Sequence, residues 1–212
     1  MAELGHVTWP PGPIATARIL LRPPQARDRA AFVELYTSPD VGIYTGGARS
    51  REEVERALPE EPRRRPGLFV IDLDGAMVGM VQLERRDADY EVRQAAGQVD
   101  LGYLLLPEAW GRGYATEACE AALGWFAVAL PGEAVVLITQ TANTPSMRLA
   151  ARLGFVEVER FEHTTPSSGS ARGRPQRPAE LCRRGLNDPG RLAEQPASRL
   201  PNAGHERLRV RR

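Results

Sequence analysis

The stretch Leu101-Gly-Tyr-Leu-Leu-Leu-Pro-Glu-Ala-Trp-Gly-Arg-Gly-Tyr-Ala-Thr-Glu-Ala118 joins an apolar run to an amphipathic segment through a glycine-containing turn. The run over 99–106 is almost entirely apolar, which is typical of a strand buried on both faces of a sheet. Pro107 ends this strand. Over 114–128, apolar residues recur at three- and four-residue spacing, which predicts an amphipathic helix. The stretch therefore reads as a buried strand, a tight turn and a helix.

The turn between this strand and this helix has the chemistry of an anion site. Gly111 and Gly113 have no Cβ, and successive backbone N–H groups point outward at a helix N-terminus. A pyrophosphate fits such a turn. The spacing is not that of a dinucleotide-binding fingerprint, because Thr116 stands where the third glycine belongs. An ordinary strand-to-helix connection is the other interpretation of the turn taken alone.

The rest of the chain shows alternating signals for strands and helices. An Asp74-Gly75 pair between two apolar runs favours a hairpin, and Ser50 begins a capping box. Periodicity predicts strands at 18–22, 68–73, 77–83, 99–106, 134–139 and 155–161, and helices at 28–35, 50–58, 114–128 and 146–153. This order predicts an α/β (α+β) fold.

Composition excludes several classes of enzyme. All 28 basic residues are arginines, so a P-loop, a Schiff-base lysine and a lysine-anchored pyridoxal enzyme are impossible. The three histidines and two cysteines are not at metal-ligand spacing, so we expect no metal. No secretory segment or long apolar run is present, which favours a cytoplasmic protein without a membrane partner.

The charge divides the chain of 212 residues near residue 164. The segment 164–212 has eleven arginines against four acidic residues, is rich in proline and glycine and has no aromatic residue, so we predict a disordered tail after a domain over 1–163. An out-of-frame reading of a GC-rich gene would give the same composition. A basic arm for nucleic acid is the weakest alternative, because no binding motif accompanies the charge, and we expect no nucleic-acid partner.

Two further motifs accompany the stretch 101–118. Residues 16–23 read Thr-Ala-Arg-Ile-Leu-Leu-Arg-Pro, and residues 143–155 read Asn-Thr-Pro-Ser-Met-Arg-Leu-Ala-Ala-Arg-Leu-Gly-Phe. Together the three motifs resemble the GNAT superfamily of acyl-CoA-dependent N-acetyltransferases, and the RimJ/RimL-type branch fits best. The resemblance covers about residues 14–163. It implies a mixed, mostly antiparallel sheet flanked by helices, in which the strands at 99–106 and 134–139 splay apart.

The resemblance implies acetyl-CoA as cosubstrate, bound along the turn and the splayed strand. The pyrophosphate would bind the backbone N–H groups of the turn, contributed by Gly111, Arg112, Gly113, Tyr114, Ala115 and Thr116. The pantetheine arm would bond the strand backbone at Tyr103, Leu104 and Leu105, and Asn143 would contact that arm or its helix. The N–H near Leu105 would polarise the thioester carbonyl.

Acetyl transfer to an amine also requires proton transfers, because an alkyl amine is mostly protonated at neutral pH. Asp100 is the first candidate base, since many GNAT enzymes have a carboxylate on this strand. Glu84 is the second, and a water relay is the third. Ala150 stands where many members have the tyrosine that protonates the thiolate, so that role would fall to Ser146 or to solvent. Structural roles for Asp100 and Ser146 stay open.

The resemblance also implies a further strand after 155–161, for which the tail offers only the alternating residues 206–210. We therefore expect a weakened acceptor wall and an exposed sheet edge. Two functions are then open: N-acetylation of a primary amine, on a protein N-terminus or a small molecule, and CoA binding with little turnover. The acidic segment 1–163 favours a cationic acceptor, and the loops at 44–49 and after Phe161 would set specificity. A monomer or homodimer is expected.

Overall fold

A computed structural model describes residues 4, 7–9, 11–88, 90, 92–163 and 205–211, and their strands form one sheet. The strands are β1 (Ile14–Ala15), β2 (Leu20–Arg22), β3 (Leu68–Leu73), β4 (Ala76–Arg85), β5 (Val99–Leu105), β6 (Val135–Gln140), β7 (Val156–His163) and β8 (His205–Arg211). They lie in the order β1-β2-β3-β4-β5-β6-β8-β7. All neighbours are antiparallel except β5 and β6. The predicted mixed, mostly antiparallel sheet is confirmed.

Helices flank this sheet on both faces. In the described part of the chain they are α1 (Arg29–Thr37), α2 (Pro39–Gly42), α3 (Arg51–Ala57), α4 (Tyr114–Ala129) and α5 (Thr144–Arg152). Side chains alternate along β3: Phe69 and Ile71 belong to the core that includes α4 and α5, whereas Leu68 and Val70 belong to the core that includes α1 and α3. The helices α1 and α4 therefore lie on opposite faces of the sheet.

Most predicted elements are present within a few residues of their predicted bounds. Sequence reasoning missed β1 and α2, because two and four residues are too few to show a period. The capping box at Ser50 and the hairpin between β3 and β4 are present. The strand predicted over 18–22 begins only at Leu20, which leaves Arg18 outside the ladder.

The strands β5 and β6 diverge soon after they meet. Their parallel pairing consists of two registers, Val99 with Val135 and Asp100 with Val136. The next residues of β5, from Leu101 to Leu105, remain paired with β4 on the other side. The splayed pair implied by the resemblance is therefore confirmed, and the sheet has an opening in its middle.

The strand β8 corrects the expectation that the last strand is missing. It is inserted between β6 and β7 and is antiparallel to both, with Leu208 opposite Thr139 and Arg160. Leu208 is 3% exposed and joins the core under α4 and α5. The alternation of 206–210 thus marks an inner strand, and the sheet includes 205–211 together with the strands before residue 164. The predicted disorder over 164–204 lies outside the described residues.

Candidate active site

A cavity of about 420 Å³ occupies the opening between β5 and β6. Its lining comes from helices on both faces of the sheet: Tyr114 and Thr116 belong to α4, and Tyr36 and Asp40 to α1 and α2. The cavity therefore runs through the sheet from one face to the other. A ligand that enters beside α4 can meet a second ligand that enters beside α1.

The turn at the α4 end has the backbone form of an anion site. Gly111 and Gly113 have φ of 73° and 83°, in the left-handed region that glycine adopts without a steric cost. Gly113 is the N-cap of α4, and no side chain caps this helix. The N–H groups of the first helical turn have no intrahelical acceptor, and here no described side chain accepts from them. They therefore present the positive end of the helix dipole. The indole N–H of Trp110 donates to the Leu105 carbonyl at 2.8 Å and ties the turn to β5.

Glu117 holds this turn against the start of β2. The backbone N–H and the Nε of Arg18 donate to the two Glu117 oxygens at 2.9 and 2.8 Å, and the Thr16 hydroxyl donates at 2.6 Å. Arg18 Nη1 also donates to the Arg112 carbonyl at 2.8 Å. The guanidinium carbon lies 4.8 Å from the centre of the Tyr114 ring. This contact was not predicted from the sequence. Glu117 lies in the first turn of α4, where a free carboxylate would repel an anion, so its position was a signal that it has a cationic partner.

A hydrogen-bonded pair of hydroxyls lies in the middle of the cavity. The Tyr103 hydroxyl donates to Ser146 Oγ at 2.8 Å, and the Ser146 N–H donates to Asn143 Oδ1 at 3.2 Å. Asn143 is the N-cap of α5, so its amide oxygen is used by the helix. Burial raises the pKa of Tyr103 to about 12, against the opposing effect of the Ser146 hydrogen bond. The phenol therefore keeps its proton at neutral pH. The sequence interpretation used only the Tyr103 backbone and missed this side chain.

The two predicted carboxylates are brought together, but away from the cavity lining. Asp100 is fully buried and accepts from Arg86 Nη2 and Nε at 2.7 and 3.0 Å. Glu84 accepts from Arg86 Nη1 at 3.0 Å and pairs with Arg65 at 3.3 Å. Burial raises the pKa of Asp100, and Arg86 opposes that rise. Neither carboxylate is among the cavity-lining residues. This geometry favours a structural role, and a catalytic one stays a prediction.

The other predicted site residues divide by position. Arg112 is exposed and does not line the cavity. Ala150, where the resemblance implies a tyrosine in many members, is 2% exposed and packs in the core. Every remaining predicted position lies in the cavity wall: Tyr103, Leu104, Leu105, Gly111, Gly113, Tyr114, Ala115, Thr116, Asn143 and Ser146. Three charged lining residues, Asp40, Arg152 and Arg207, were not predicted as site residues.

The described part of the chain has neither a metal-binding cluster nor a membrane-spanning helix. No group of three His, Cys, Asp or Glu side chains there is arranged to hold a metal ion. No helix in these described segments has the length and apolar character needed to cross a membrane. The free thiol of Cys119 is buried, and burial raises its pKa. It lies on the buried face of α4 and belongs to the core.

Comparison with known proteins agrees with this geometry. A family model described as an acetyltransferase (GNAT) domain matches residues 18–156. The YkkB protein of Bacillus subtilis (strain 168) is 27% identical over 150 residues, which are 67% of this chain and 84% of that protein. The acetyltransferase from Agrobacterium tumefaciens str. C58 superposes with a TM-score of 0.61 at 20% identity, covering 98% of this chain and 97% of that one.

A second solved structure is RimL, described as a ribosomal L7/L12 alpha-N-protein acetyltransferase in complex with coenzyme A. It superposes with a TM-score of 0.60 at 13% identity and covers 94% of this chain and 97% of its own. At 13% and 20% identity, the solved structures show that the fold is shared. The family relationship is shown by the family model that matches residues 18–156. The chain belongs to the GNAT acetyltransferase family.

Proposed function

We propose that this protein is an N-acetyltransferase of the RimJ/RimL type that transfers the acetyl group of acetyl-CoA to a primary amine. The observation that carries this proposal is the cavity that joins the main-chain anion site at α4 to the opposite face of the sheet. The amine belongs to a small molecule or to a protein N-terminus, the second being the kind of substrate of RimL, the ribosomal L7/L12 alpha-N-protein acetyltransferase. A cytoplasmic monomer or homodimer remains the expectation.

The residues present fit acetyl-CoA. The left-handed turn at Gly111 and Gly113 offers backbone N–H groups to a pyrophosphate without a Cβ in the way. Because β6 leaves β5 after Asp100, the β5 backbone from Leu101 to Leu105 has no ladder partner on its β6 side. Buried backbone polar groups need partners, and the amide groups of a pantetheine arm supply them. The same backbone would orient the thioester carbonyl.

Acetyl-CoA supplies an activated acetyl group: a carbon–nitrogen bond to the amine forms as the carbon–sulfur bond breaks. An ammonium acceptor loses a first proton before this attack, and a second proton leaves the nitrogen while the sulfur gains one. Ser146 and Tyr103 are placed to hold the proton that the sulfur gains, because their hydroxyls are hydrogen-bonded at 2.8 Å in the cavity wall. Tyr103 donates to Ser146, which leaves the Ser146 proton free to point elsewhere. With a phenol pKa of about 12, Tyr103 can restore that proton at neutral pH.

The first proton is assigned to a water relay. A base must be within hydrogen-bond reach of its proton, directly or through one water. Asp100 and Glu84 do not line the cavity, and Arg86 bonds both of them. We propose that water in the cavity removes the amine proton and that Asp100 and Glu84 keep Arg86 in place behind β5.

Measuring free thiol released from acetyl-CoA against a panel of primary amines tests the proposal. Turnover that depends on the amine supports an acetyltransferase. Acetyl-CoA binding detected by calorimetry, with no thiol release for any small amine or N-terminal peptide, would support the second candidate, a CoA-binding module. The observation that favours this candidate is Ala150, which leaves α5 without the tyrosine found in many relatives.

A further inference from the structure

Arg207 is a buried arginine in the cavity wall. It comes from β8, is 7% exposed and is among the residues that line the cavity. Its Nε is buried and has no hydrogen-bond partner. No ion pair joins Arg207 to a carboxylate among the residues that the structure describes. A buried Nε without an acceptor is unfavourable, so this guanidinium at the cavity wall is a candidate to bind an anion.

Other buried arginines of this chain show what Arg207 lacks. Arg22 pairs with Asp28 at 2.7 Å and with Asp72 at 2.6 Å. Arg86 pairs with Asp100 at 2.7 Å and with Glu84 at 3.0 Å. Each has two carboxylates, as a buried cation requires. In agreement with the missing counterion, burial lowers the pKa of Arg207, and only Tyr90 acts in the opposite direction.

The position of Arg207 separates it from the anion site at α4. In the sheet it lies opposite Gln140 of β6 and Phe161 of β7. The adjacent residue Leu208 points into the core under α4 and α5. Neighbouring residues of a strand point to opposite faces, so Arg207 faces the side of the sheet on which α1 lies. This is the side from which the second ligand reaches the cavity.

We propose that Arg207 binds a carboxylate of the acceptor, and that the acceptor is an amino acid or another small amine with a carboxylate near its amino group. The inference rests on the proposed N-acetyltransferase function. A planar guanidinium bonds a carboxylate through two parallel N–H groups and so fixes its orientation as well as its position. Asp40 is the carboxylate among the described residues that line the cavity, and it can attract the ammonium end. Arg207 and Asp40 together suit a zwitterion, and Arg152, the third charged residue of the lining, is exposed at the end of α5.

The test uses matched acceptors that differ only in the carboxylate: an α-amino acid, its carboxamide and the corresponding amine without a carboxyl group. In the full-length protein we expect kcat/KM for the amino acid to exceed that for the carboxamide by about tenfold to a hundredfold, the range for a charged hydrogen bond. Arg207→Gln should remove this preference. Arg207→Lys should keep a part of it, because the charge is retained without the bidentate geometry. Arg211→Gln is the matched control, since Arg211 is an exposed arginine of the same strand.

Binding measurements separate this inference from the proposed function. Calorimetry with the CoA-saturated protein should show the amino acid binding more tightly than its carboxamide, and only the Arg207 variants should lose the difference. The role of Arg207 is overturned if amines without a carboxylate are acetylated and neither assay shows a preference for the carboxylate. The acetyltransferase function would then stand. A loss of acetyl-CoA affinity in Arg207→Gln, with an unchanged melting temperature, would also overturn it, because Arg207 would then belong to the acetyl-CoA site.

Discussion

Arg18 and Glu117, which are 99 positions apart in the chain, form an ion pair of 2.6 Å beside the turn that caps α4. Glu117 accepts further hydrogen bonds from Thr16 and from the Arg18 backbone, so the segment before β2 is fastened to the first turn of the helix. The same guanidinium bonds the Arg112 carbonyl inside the turn. The turn that we propose as an anion site is thus held from outside by an arginine that leaves the backbone N–H groups free.

Glu117→Gln should loosen this fastening. The variant keeps one oxygen but loses the charge, and hydrogen bonds to charged groups contribute about 1.5–3 kcal/mol each. Because Arg18 is about half exposed, we expect a smaller loss, about 1–2 kcal/mol in the free energy of unfolding, together with weaker acetyl-CoA binding. Urea unfolding and calorimetry measure the two effects. Glu120→Gln, an exposed change one turn further on, is the control.

The effect of Glu117→Gln should depend on pH. Partial burial raises the pKa of Glu117, but the hydrogen bonds from Thr16 and Arg18 outweigh it and hold that pKa below 4.5. A carboxyl group with a lowered pKa in the folded state contributes stability above its unfolded pKa and loses it as the pH falls through the folded value. The difference in stability between parent and variant should therefore be full at pH 7 and shrink below pH 4.5. A difference that grows on acidification would contradict this sign.

Gly113→Glu should abolish acetyl-CoA binding, because it puts negative charge where the pyrophosphate is proposed to lie. Gly113 has φ of 83°, and a Cβ there would lie 3.3 Å from Arg18 Nη2, so any side chain adds strain. Gly113→Ala carries the strain without the charge and is the matched control. Arg112→Ala should weaken binding by less than about fivefold, since an exposed charge contributes about 0–1 kcal/mol. Equal losses in Arg112→Ala and Gly113→Glu would exclude a site built from the backbone.

The turn, the buried strand and the helices of this site were predictable because each is encoded within a short stretch. The apolar run over 99–106 and the period over 114–128 place β5, the turn and α4 within a few residues. The family motifs added the splay of β5 and β6, which no local pattern contains. The α2 helix was missed because one turn of chain has no measurable period.

What could not be predicted depends on contacts between distant parts of the chain. Arg18 meets Glu117, Tyr103 meets Ser146, and Arg86 meets Asp100 only when the sheet is assembled. The strand β8 was underestimated because its hydrophobic content is low. The backbone of β8 is bonded to a strand on both sides, which holds it in the sheet with few apolar side chains. Among its described side chains, Leu208 alone belongs to the hydrophobic core.

Asp100→Asn should act on stability more than on the pH dependence of turnover. Removing the charge leaves Arg86 buried with Glu84 as its remaining carboxylate, and the loss of one partner of a buried pair costs about 3–5 kcal/mol. Denaturant unfolding should show this loss. The double variant Arg86→Met, Asp100→Leu should recover a part of it, because no buried charge is then stranded. A stable Asp100→Asn enzyme whose turnover is restored only at high pH would instead identify Asp100 as the base.

Tyr103→Phe and Ser146→Ala should each lower kcat and leave acetyl-CoA affinity within about threefold, because the proposed role concerns the departing sulfur and general acid catalysis contributes about 10²–10⁴-fold. If the two hydroxyls act as one unit, the double variant should be no slower than the worse single variant. Steady-state kinetics of all three variants decides this. Additive losses would mean that Tyr103 and Ser146 act separately, and full activity in Ser146→Ala would assign the proton to solvent.

A chain shortened to end at His163 should fail to form a stable sheet, because β8 pairs with both β6 and β7 and its removal leaves two strands without a common neighbour.

The point variant Leu208→Ala tests the same contact more gently. Leu208 is 3% exposed in the core under α4 and α5, so truncating its side chain should cost about 2–5 kcal/mol in the free energy of unfolding. Arg211→Ala, an exposed change on the same strand, should cost less than about 0.5 kcal/mol. Hydrogen exchange gives an independent readout, because the amides of 207–210 belong to an inner strand and should exchange only with global unfolding. Fast exchange at these amides, with a stable shortened chain that still binds acetyl-CoA, would show that the sheet is complete without β8.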